Sequence, residues 1–353
     1  YRIDGVLADV GTAPKKMRAG IVSRVKVMAE MDITNRRSPQ DGRITILTPD
    51  EREVSLRVVT MPTVHGESVV LRILDSGSEA PKLSDVGMLP QPLKEFEKSF
   101  RAPSGGVLVT GPTGSGKTTT LYATLGELNL PETAIVTIED PVEYQVAGLK
   151  QIQINNKAGM TFPKALRAIL RADPDIVLVG EIRDAETAKL AAEASLTGHL
   201  VLSTLHTNSA AATPVRLLEM GVEPFLVTAG VTCVVAQRLA RKLCSCAQKY
   251  EPSAEALRLA GWPDNWSLDN RSFSQPTGCR KCDESGYGGR FAIHEVMPIS
   301  DAIARIILER GAVMDIQRTA IEEGMLTLRQ DGLAKASQGR TSLEEITRVT
   351  PAE

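Results

Sequence analysis

Aromatic side chains and long apolar runs are scarce in this chain. Phe, Trp and Tyr make up 4% of its 353 residues, which leaves few rings on which nucleic-acid bases could stack. No run of 18 apolar residues occurs, so the sequence predicts no membrane-spanning helix. Neither sign of charge dominates, because 41 Lys and Arg residues are matched by 43 Asp and Glu residues. The net charge of −2 gives no general attraction to nucleic acid.

Cysteine is also rare, and its distribution does not fit a secreted disulfide framework. Four of the five cysteines fall in two close pairs, a pattern that indicates metal binding in a cytosolic protein. The sequence shows no signal peptide. The chain begins at Tyr1 and not at Met, and we expect it to be a fragment whose upstream region is missing. Its length and its 42% apolar content predict two or three globular domains.

A glycine-rich segment, Gly111–Thr118, is the most informative feature that the sequence does contain. An apolar run precedes it and a helix-forming segment follows it, as in phosphate-binding loops of the pattern GxxxxGK[ST]. Backbone N–H groups in such a loop bind phosphate oxygens, so we expect a nucleotide here. The alternative is a glycine-rich turn with a chance lysine. We predict that Lys117 reaches the β- and γ-phosphates, that Thr118 binds Mg²⁺, and that the nucleotide-binding residues are Gly111, Pro112, Thr113, Gly114, Ser115, Gly116, Lys117, Thr118 and Thr119.

Strand and helix patterns alternate from residue 105 to about residue 242. This alternation predicts a mostly parallel sheet with helices on both faces. Functional side chains are then expected beyond the carboxyl ends of the strands. The predicted strands are 106–110, 134–138, 176–180 and 199–204, and the predicted helices are 117–128, 161–172, 185–196, 208–219 and 223–242.

Acidic residues and a histidine follow these strands. Glu139, Asp140 and Glu143 come after the second strand, where they fit a Mg²⁺ and water network or, alternatively, a solvated turn. Glu181 follows the third strand and is our candidate for the residue that orients the attacking water. Its alternative role is a charge near a helix N-terminus. His206 follows the fourth strand, where a histidine can contact the γ-phosphate, although a structural role is equally consistent with the pattern.

The paired cysteines indicate a second site. Cys244 and Cys246 are followed by Cys279 and Cys282, and four thiolates suit a tetrahedral Zn²⁺ ion. The second pair has the usual two-residue gap, whereas the first has a gap of one. A metal-free loop with free thiols is the alternative.

The two ends of the chain differ in character. Residues 1–95 predict a mixed α/β module, with a helix at 17–31 and strands at 43–47, 53–60 and 67–74. Arg57 and Arg72 lie in these strands, where a lone arginine is usually a solvated residue. Residues 76–104 predict a linker and a short entry helix. The C-terminal part predicts a strand at 291–297 and then helices at 300–310, 313–323, 325–337 and 342–349.

Taken together, these motifs resemble the ATPases of bacterial type II secretion and type IV pilus assembly. The resemblance runs from about Pro39 to the C-terminus. It rests on PQDGR (39–43), LRVV (56–59), PTVHGESVVLRI (62–73), the phosphate loop, IEDPVEY (138–144), LRADPDIVLVGEIRD (170–184), TGH to HTN (197–208), and the cysteines followed by GYGGR (286–290).

The resemblance implies a fold and a division into domains. We expect an α/β protein with a RecA-like P-loop ATPase core, an N-terminal PAS-like α/β domain, a small tetracysteine subdomain and a C-terminal helical region. The expected boundaries are 1–95 for the N-terminal domain, 96–104 for the linker, 105–242 for the ATPase domain, 243–292 for the tetracysteine subdomain and 293–353 for the helical region.

The resemblance also implies roles for single residues. Glu181 matches the catalytic glutamate and His206 the histidine box, with His199 second to it. Arg57 and Arg72 match arginines that the first domain contributes to the nucleotide site, and Arg43 is a weaker candidate. The acids Glu139, Asp140 and Glu143 match an aspartate box. The expected catalytic residues are therefore Glu181, Lys117, Arg57, Arg72 and His206.

Assembly and location are likewise implied by the family. We expect a homo-hexameric ring at the cytoplasmic face of the bacterial inner membrane, with ATP, Mg²⁺ and Zn²⁺ as ligands. The expected partners are a polytopic platform protein and a membrane-anchored recruiter, with no nucleic acid. The four cysteines favour the assembly-type branch of the family over its retraction motors. A nucleic-acid-translocating ring ATPase and a nucleotide-gated scaffold without turnover remain as alternatives.

Overall fold

A computed structural model describes residues 1–49, 51, 53–74, 81–269 and 271–350, apart from the side chains of Leu74 and Lys157. The chain divides into two compact units, residues 1–79 and 80–353. This division falls earlier than the predicted border at residue 95. The first part of the predicted linker, residues 75–80, lies outside the described residues.

The first unit contains one helix and an antiparallel three-stranded sheet. The predicted helix and strands are confirmed, with shifted ends. Along β3, exposed residues alternate with buried or half-buried ones. Ala29, Met31, Ile44 and Val58 form a small core between helix and sheet. The elements are β1 (Arg2–Ile3), β2 (Val6–Leu7), α1 (Arg18–Met28), β3 (Gln40–Leu47), β4 (Glu53–Thr63) and β5 (Gly66–Leu74).

The second unit alternates helices and strands before it ends in helices, as predicted. Its elements are α2 (Leu83–Val86), α3 (Pro90–Phe100), β6 (Gly105–Thr110), α4 (Lys117–Leu128), β7 (Ile135–Glu139), β8 (Lys150–Gln153), α5 (Phe162–Ile169), β9 (Ile176–Val179), α6 (Ala185–Leu196), β10 (Leu200–Leu205), α7 (Ala212–Glu219), α8 (Pro224–Gly230), β11 (Val231–Leu243), β12 (Gln248–Lys249), α9 (Ala254–Ala260), β13 (Ser274–Gln275), β14 (Tyr287–Pro298), α10 (Asp301–Leu308), α11 (Val313–Glu322), α12 (Leu328–Ala336) and α13 (Leu343–Val349).

A seven-stranded sheet organises this unit, in the order β14-β11-β6-β10-β9-β7-β8. Every neighbouring pair is parallel except β14 with β11. Strands β6, β7, β9 and β10 are buried along their whole length, because apolar clusters cover both faces of the sheet. The prediction of a parallel sheet covered by helices is confirmed. The carboxyl ends of four adjacent strands therefore meet at one edge.

The predicted helix at 223–242 is wrong. Helix α8 ends at Gly230, and Val231–Leu243 forms β11, which lies between β6 and β14. The run is apolar on all sides because both faces of the strand are buried, and such a run cannot be assigned by periodicity alone. Its β-branched residues, Val231, Thr232, Val234 and Val235, favour a strand. The short edge strand β8 was not predicted.

The C-terminal helices pack on the same sheet through buried charges. Glu345 of α13 accepts hydrogen bonds from the backbone N–H of Arg241 in β11 at 2.9 Å and from its guanidinium at 2.7 and 3.0 Å. Lys335 of α12 donates to the carbonyl of Ala292 in β14 at 2.9 Å. Among the described residues, no helix is both long enough and apolar enough to cross a membrane.

Candidate nucleotide site and tetracysteine cluster

The phosphate loop joins the carboxyl end of β6 to the first residue of α4. Gly111, Gly114 and Gly116 have positive φ angles of 147°, 77° and 87°. A Cβ atom at Gly111 would lie 2.4 Å from the carbonyl oxygen of Gln237, and one at Gly116 would lie 2.8 Å from Nε2 of the same residue. Both positions therefore require glycine, because neither the backbone angle nor the space allows a side chain.

Gln237 supports the loop from β11, a role that the sequence did not predict. Its buried side chain donates to the carbonyl oxygen of Ser115 at 2.7 Å and accepts from the hydroxyl of Thr120 at 2.7 Å. The available signal was an amide side chain directly after the mostly apolar segment 231–236. Because the run was predicted to be a helix, Gln237 was not expected to lie beside the phosphate loop.

Lys117 begins α4 and is largely buried. Its ammonium donates to the carbonyl oxygens of Gly111 at 2.9 Å and Pro112 at 3.1 Å. Burial lowers its pKa to about 8, an effect opposed by the negative charge of Glu181 and reinforced by the positive charge of Arg238. Nearby, the buried hydroxyl of Ser115 has no hydrogen-bond partner among the described atoms. Positive charge, an unpaired hydroxyl and a helix N-terminus together fit a phosphate group.

Glu181 and His206 lie together at the ends of adjacent strands. Glu181 follows β9, and its Oε2 atom lies 3.8 Å from Nε2 of His206, which follows β10. The same oxygen forms an ion pair with Arg183 at 2.6 Å. His199 precedes β10, so it lies at the opposite edge of the sheet, where its Nδ1 is 3.0 Å from the carbonyl oxygen of Ala194. The geometry thus separates the two candidate histidines.

The three acids after β7 have different environments. Glu139 is buried, and the hydroxyl of Tyr122 donates to its two oxygens at 2.8 and 2.7 Å. Thr137 also donates to this carboxylate, at 2.6 Å. Burial and the neighbouring Glu139 raise the pKa of Tyr122, which keeps the phenol protonated as a donor. Asp140 and Glu143 are exposed. Hydroxyl groups of this chain thus hold Glu139, whereas the other two carboxylates lie at the surface.

In the first unit, three arginines form one row across the sheet. Arg57 lies directly opposite Arg43 of β3 and directly opposite Arg72 of β5, so the three share a face. Asp41 accepts hydrogen bonds from Arg57 at 2.9 and 3.1 Å. Like charges opposite one another destabilise a sheet. An exposed row of this kind is suited to bind a polyanion.

The four predicted cysteines converge in the second unit. Their sulfur atoms lie within 4.8 Å of one another, and the closest pairs are separated by 3.7 to 3.9 Å. A tetrahedral Zn²⁺ ion with Zn–S bonds of about 2.3 Å places its sulfurs about 3.8 Å apart. The backbone N–H groups of Cys279 and Gly286 donate to the Cys282 sulfur at 3.2 Å. The one-residue gap between Cys244 and Cys246 is therefore compatible with a zinc site.

Comparison with known proteins agrees with this geometry. Residues 1–348 match the family described as Type II/IV secretion system protein. The chain belongs to this family. It is 48% identical to the Type IV pilus assembly ATPase PilB of Myxococcus xanthus, over 98% of this chain and 61% of the relative. It is also 48% identical to the Type II secretion system ATPase E of Vibrio cholerae, over 99% of this chain and 69% of that relative.

Two solved structures, those of PilT and DotB, share the fold of this chain. The pilus retraction motor PilT with bound ADP aligns with a TM-score of 0.62 at 26% identity, over 90% of this chain and 78% of PilT. The ATPase DotB of Legionella pneumophila aligns with a TM-score of 0.64 at 22% identity, over 88% of this chain and 77% of DotB. The resemblance predicted from the sequence is confirmed. The chain spans 61% and 69% of the two curated relatives, so the activity of the whole protein is proposed below.

Proposed function

We propose that this chain hydrolyses ATP and that hydrolysis drives assembly of a pilus or of the related pseudopilus of type II secretion. The observation that carries this proposal is the convergence of Lys117, Glu181 and His206 at one edge of the sheet. A cation beside a phosphate loop, with a carboxylate and an imidazole at neighbouring strand ends, is the arrangement that phosphoryl transfer to water requires.

In this mechanism the loop holds the nucleotide and the strand ends orient the water. The backbone N–H groups of residues 113–119 and the ammonium of Lys117 bind the phosphates. The hydroxyl of Thr118 would hold Mg²⁺, which neutralises charge on the β- and γ-phosphates. Glu181 accepts a hydrogen bond from the attacking water and so orients it. His206, whose Nε2 is 3.8 Å from Oε2 of Glu181, would donate to the γ-phosphate.

Asp140 and Glu143 complete the proposed Mg²⁺ and water network. Both are exposed and follow the same strand as Glu139. We assign to Glu139 a supporting part in this network. Because its carboxylate is held by Tyr122 and Thr137, it fixes the end of β7 on which the other two acids are carried.

The first unit would supply the closing half of the site. We propose that Arg57 and Arg72 contact the phosphates when the first unit, residues 1–79, turns relative to the second. Helix α3 stays with the second unit, because Phe96 and Phe100 belong to its core. Release of the γ-phosphate would then release that closure. A homo-hexameric ring of such subunits, with ATPase domain 105–242, tetracysteine subdomain 243–292 and helical region 293–353, would turn each closure into movement.

Zinc and membrane partners complete the proposal. Cys244, Cys246, Cys279 and Cys282 would hold one structural Zn²⁺. We infer that the ring acts at the cytoplasmic face of the inner membrane, bound to a platform protein and, in secretion, to a membrane-anchored recruiter. The supporting observation is the identity to both PilB and the secretion ATPase E.

The direct test is phosphate release by the purified protein, assayed as an oligomer. We expect Mg²⁺-dependent release from ATP that a chelator abolishes and that Lys117→Ala loses. Tight ATP binding without release by the wild-type protein would favour the nucleotide-gated scaffold. Tight, salt-sensitive binding of single-stranded DNA would favour a nucleic-acid translocase. We expect no such binding.

A further inference from the structure

Arg238 crosses the end of the strand that carries the phosphate loop. It lies in β11 two residues beyond Ala236, which is opposite the last residue of β6, Thr110. Its Nη2 donates to the backbone oxygen of Asn208 at 3.0 Å and to the side-chain oxygen of Asn208 at 3.3 Å. Asn208 follows β10 on the other side of β6. The guanidinium thus joins two segments on either side of the loop.

The same group lies close to the first glycine of the loop. Its Nη1 donates to the carbonyl oxygen of Gln237 at 3.0 Å. A Cβ atom on Gly111 would be 3.2 Å from Nη1. The guanidinium is therefore in contact with the start of the phosphate loop as well as with the loop after β10.

The charge of Arg238 has little compensation from this chain. The side chain is half-buried, and burial lowers its pKa, an effect that Glu295 opposes. Within the described part of the chain, its hydrogen-bond acceptors are uncharged oxygens of Gln237 and Asn208. Lys117 is a second, largely buried cation in the same place, and the positive charge of Arg238 lowers its pKa. Two desolvated cations side by side are costly unless an anion accompanies them.

We propose that Arg238 is a positioning residue for ATP hydrolysis, which holds the loop bearing His206 and Asn208 against the phosphate loop. This inference rests on the proposed function of the site. Asn208 is two residues from His206, so hydrogen bonds to Asn208 fix the segment from which the imidazole approaches Glu181. Lysine cannot replace the residue, because a compact ammonium does not reach two acceptors in a fixed geometry.

The test compares Arg238→Lys and Arg238→Gln with wild type in the intact oligomer. We expect each variant to lower kcat for ATP at least about tenfold, while KM for ATP and Kd for ADP change by less than about threefold. Asn208→Ala should lower kcat less, and the Arg238→Lys, Asn208→Ala double variant should lose no more than Arg238→Lys alone. Arg318→Gln, which breaks an exposed ion pair with Asp315 on α11, is the matched control with unchanged kinetics.

If the wild-type protein hydrolyses ATP, either of two results would overturn the inference. One is a kcat within twofold of wild type in both arginine variants. The other is a loss of ADP binding that parallels the loss of turnover, because Arg238 would then support the loop itself. A wild-type protein that releases no phosphate would instead refute the proposed function, and the inference with it.

Discussion

The nucleotide site and the tetracysteine cluster both depend on the assembled sheet, but they depend on different amounts of it. The cluster takes its ligands from two segments, 244–246 and 279–282. These segments meet because β11, which ends directly before Cys244, pairs with β14, which begins soon after Cys282. The nucleotide site takes side chains from the ends of β6, β7, β9 and β10 and from the middle of β11, and its loop depends on Gln237, which is 122 residues from Ser115. One strand pair therefore builds the cluster, whereas five strands build the nucleotide site.

Apart from the losses expected at Lys117 and Glu181, the largest effect on turnover is expected where the nucleotide site would extend into the first unit. Arg57→Gln and Arg72→Gln should each lower kcat for ATP by about 10- to 100-fold, since a charge-assisted hydrogen bond contributes roughly 1.5–3 kcal/mol. ADP affinity should stay unchanged, because the loop alone holds ADP. Steady-state phosphate release and ADP titration measure both quantities.

Arg43→Gln is the matched variant for these two, since Arg43 lies in the same row. As the weaker candidate, it should lower kcat less than either Arg57→Gln or Arg72→Gln. Unchanged turnover in all three variants would confine the nucleotide site to the second unit.

The next effect is a fall in ATP affinity at high pH, which we expect from deprotonation of Lys117. Its pKa of about 8 means that the free protein carries a protonated Lys117 at pH 7 and a mostly neutral one at pH 9. Phosphate binding requires the ammonium, so the affinity for ATP should fall about tenfold as the pH rises from 7 to 9. Titrations with a fluorescent ATP analogue measure this change.

Lys117→Met should bind ATP weakly and with an affinity that does not vary over the same pH range, because it has no proton to lose at this position. A wild-type affinity that is equal at pH 7 and pH 9 would contradict the prediction.

A smaller effect on stability and on ADP affinity is expected at Gln237, which supports the phosphate loop from β11. Gln237→Leu leaves the Ser115 carbonyl and the Thr120 hydroxyl without their buried partner. The free energy of unfolding should fall by about 1–3 kcal/mol, and ADP affinity should fall about threefold. Urea denaturation and ADP titration are the measurements. Gln248→Leu, at an exposed position of β12, should change neither. Full ADP affinity in Gln237→Leu would show that the loop holds its shape locally.

The smallest effect on nucleotide binding is expected at the cysteines. Cys279→Ser should reduce the zinc content from one ion per chain to almost none, while ADP affinity stays within about twofold. Metal analysis and ADP titration on the same sample test both statements. Cys233→Ala, which removes the buried cysteine of β11, should keep its zinc. If Cys279→Ser lost ADP binding together with zinc, the two sites would not be independent of one another.

The sequence predicted those parts of the site that depend on a strand and the residues directly after it. Glu181 and His206 meet because β9 and β10 are adjacent parallel strands. Glu181 lies two residues beyond the end of β9, and His206 directly follows β10. The sequence could not show that Gln237 and Arg238 join the site. Both lie in an apolar run whose length suits a helix, and only pairing with β6 makes that run a strand.

Burial was the second property that the sequence could not supply. Three acids lie within five residues at the carboxyl end of β7, yet Glu139, the last residue of the strand, is buried against Tyr122, while Asp140 and Glu143 are exposed. Tyr122 lies on α4, 17 residues earlier, and reaches Glu139 only through the packing of α4 on the sheet. Side-chain environment at this edge is thus a property of tertiary packing.

In the proposed mechanism, hydrolysis at this edge of the sheet depends most directly on Glu181. The decisive measurement is ATP binding and phosphate release on one preparation of the Glu181→Gln oligomer, beside wild type. Glu181→Gln should bind ATP with an affinity within about threefold of wild type and release phosphate at least about 100-fold more slowly, since general-base catalysis contributes about 10²- to 10⁴-fold. Turnover at the wild-type rate in Glu181→Gln would contradict the assignment of Glu181 as the residue that orients the attacking water.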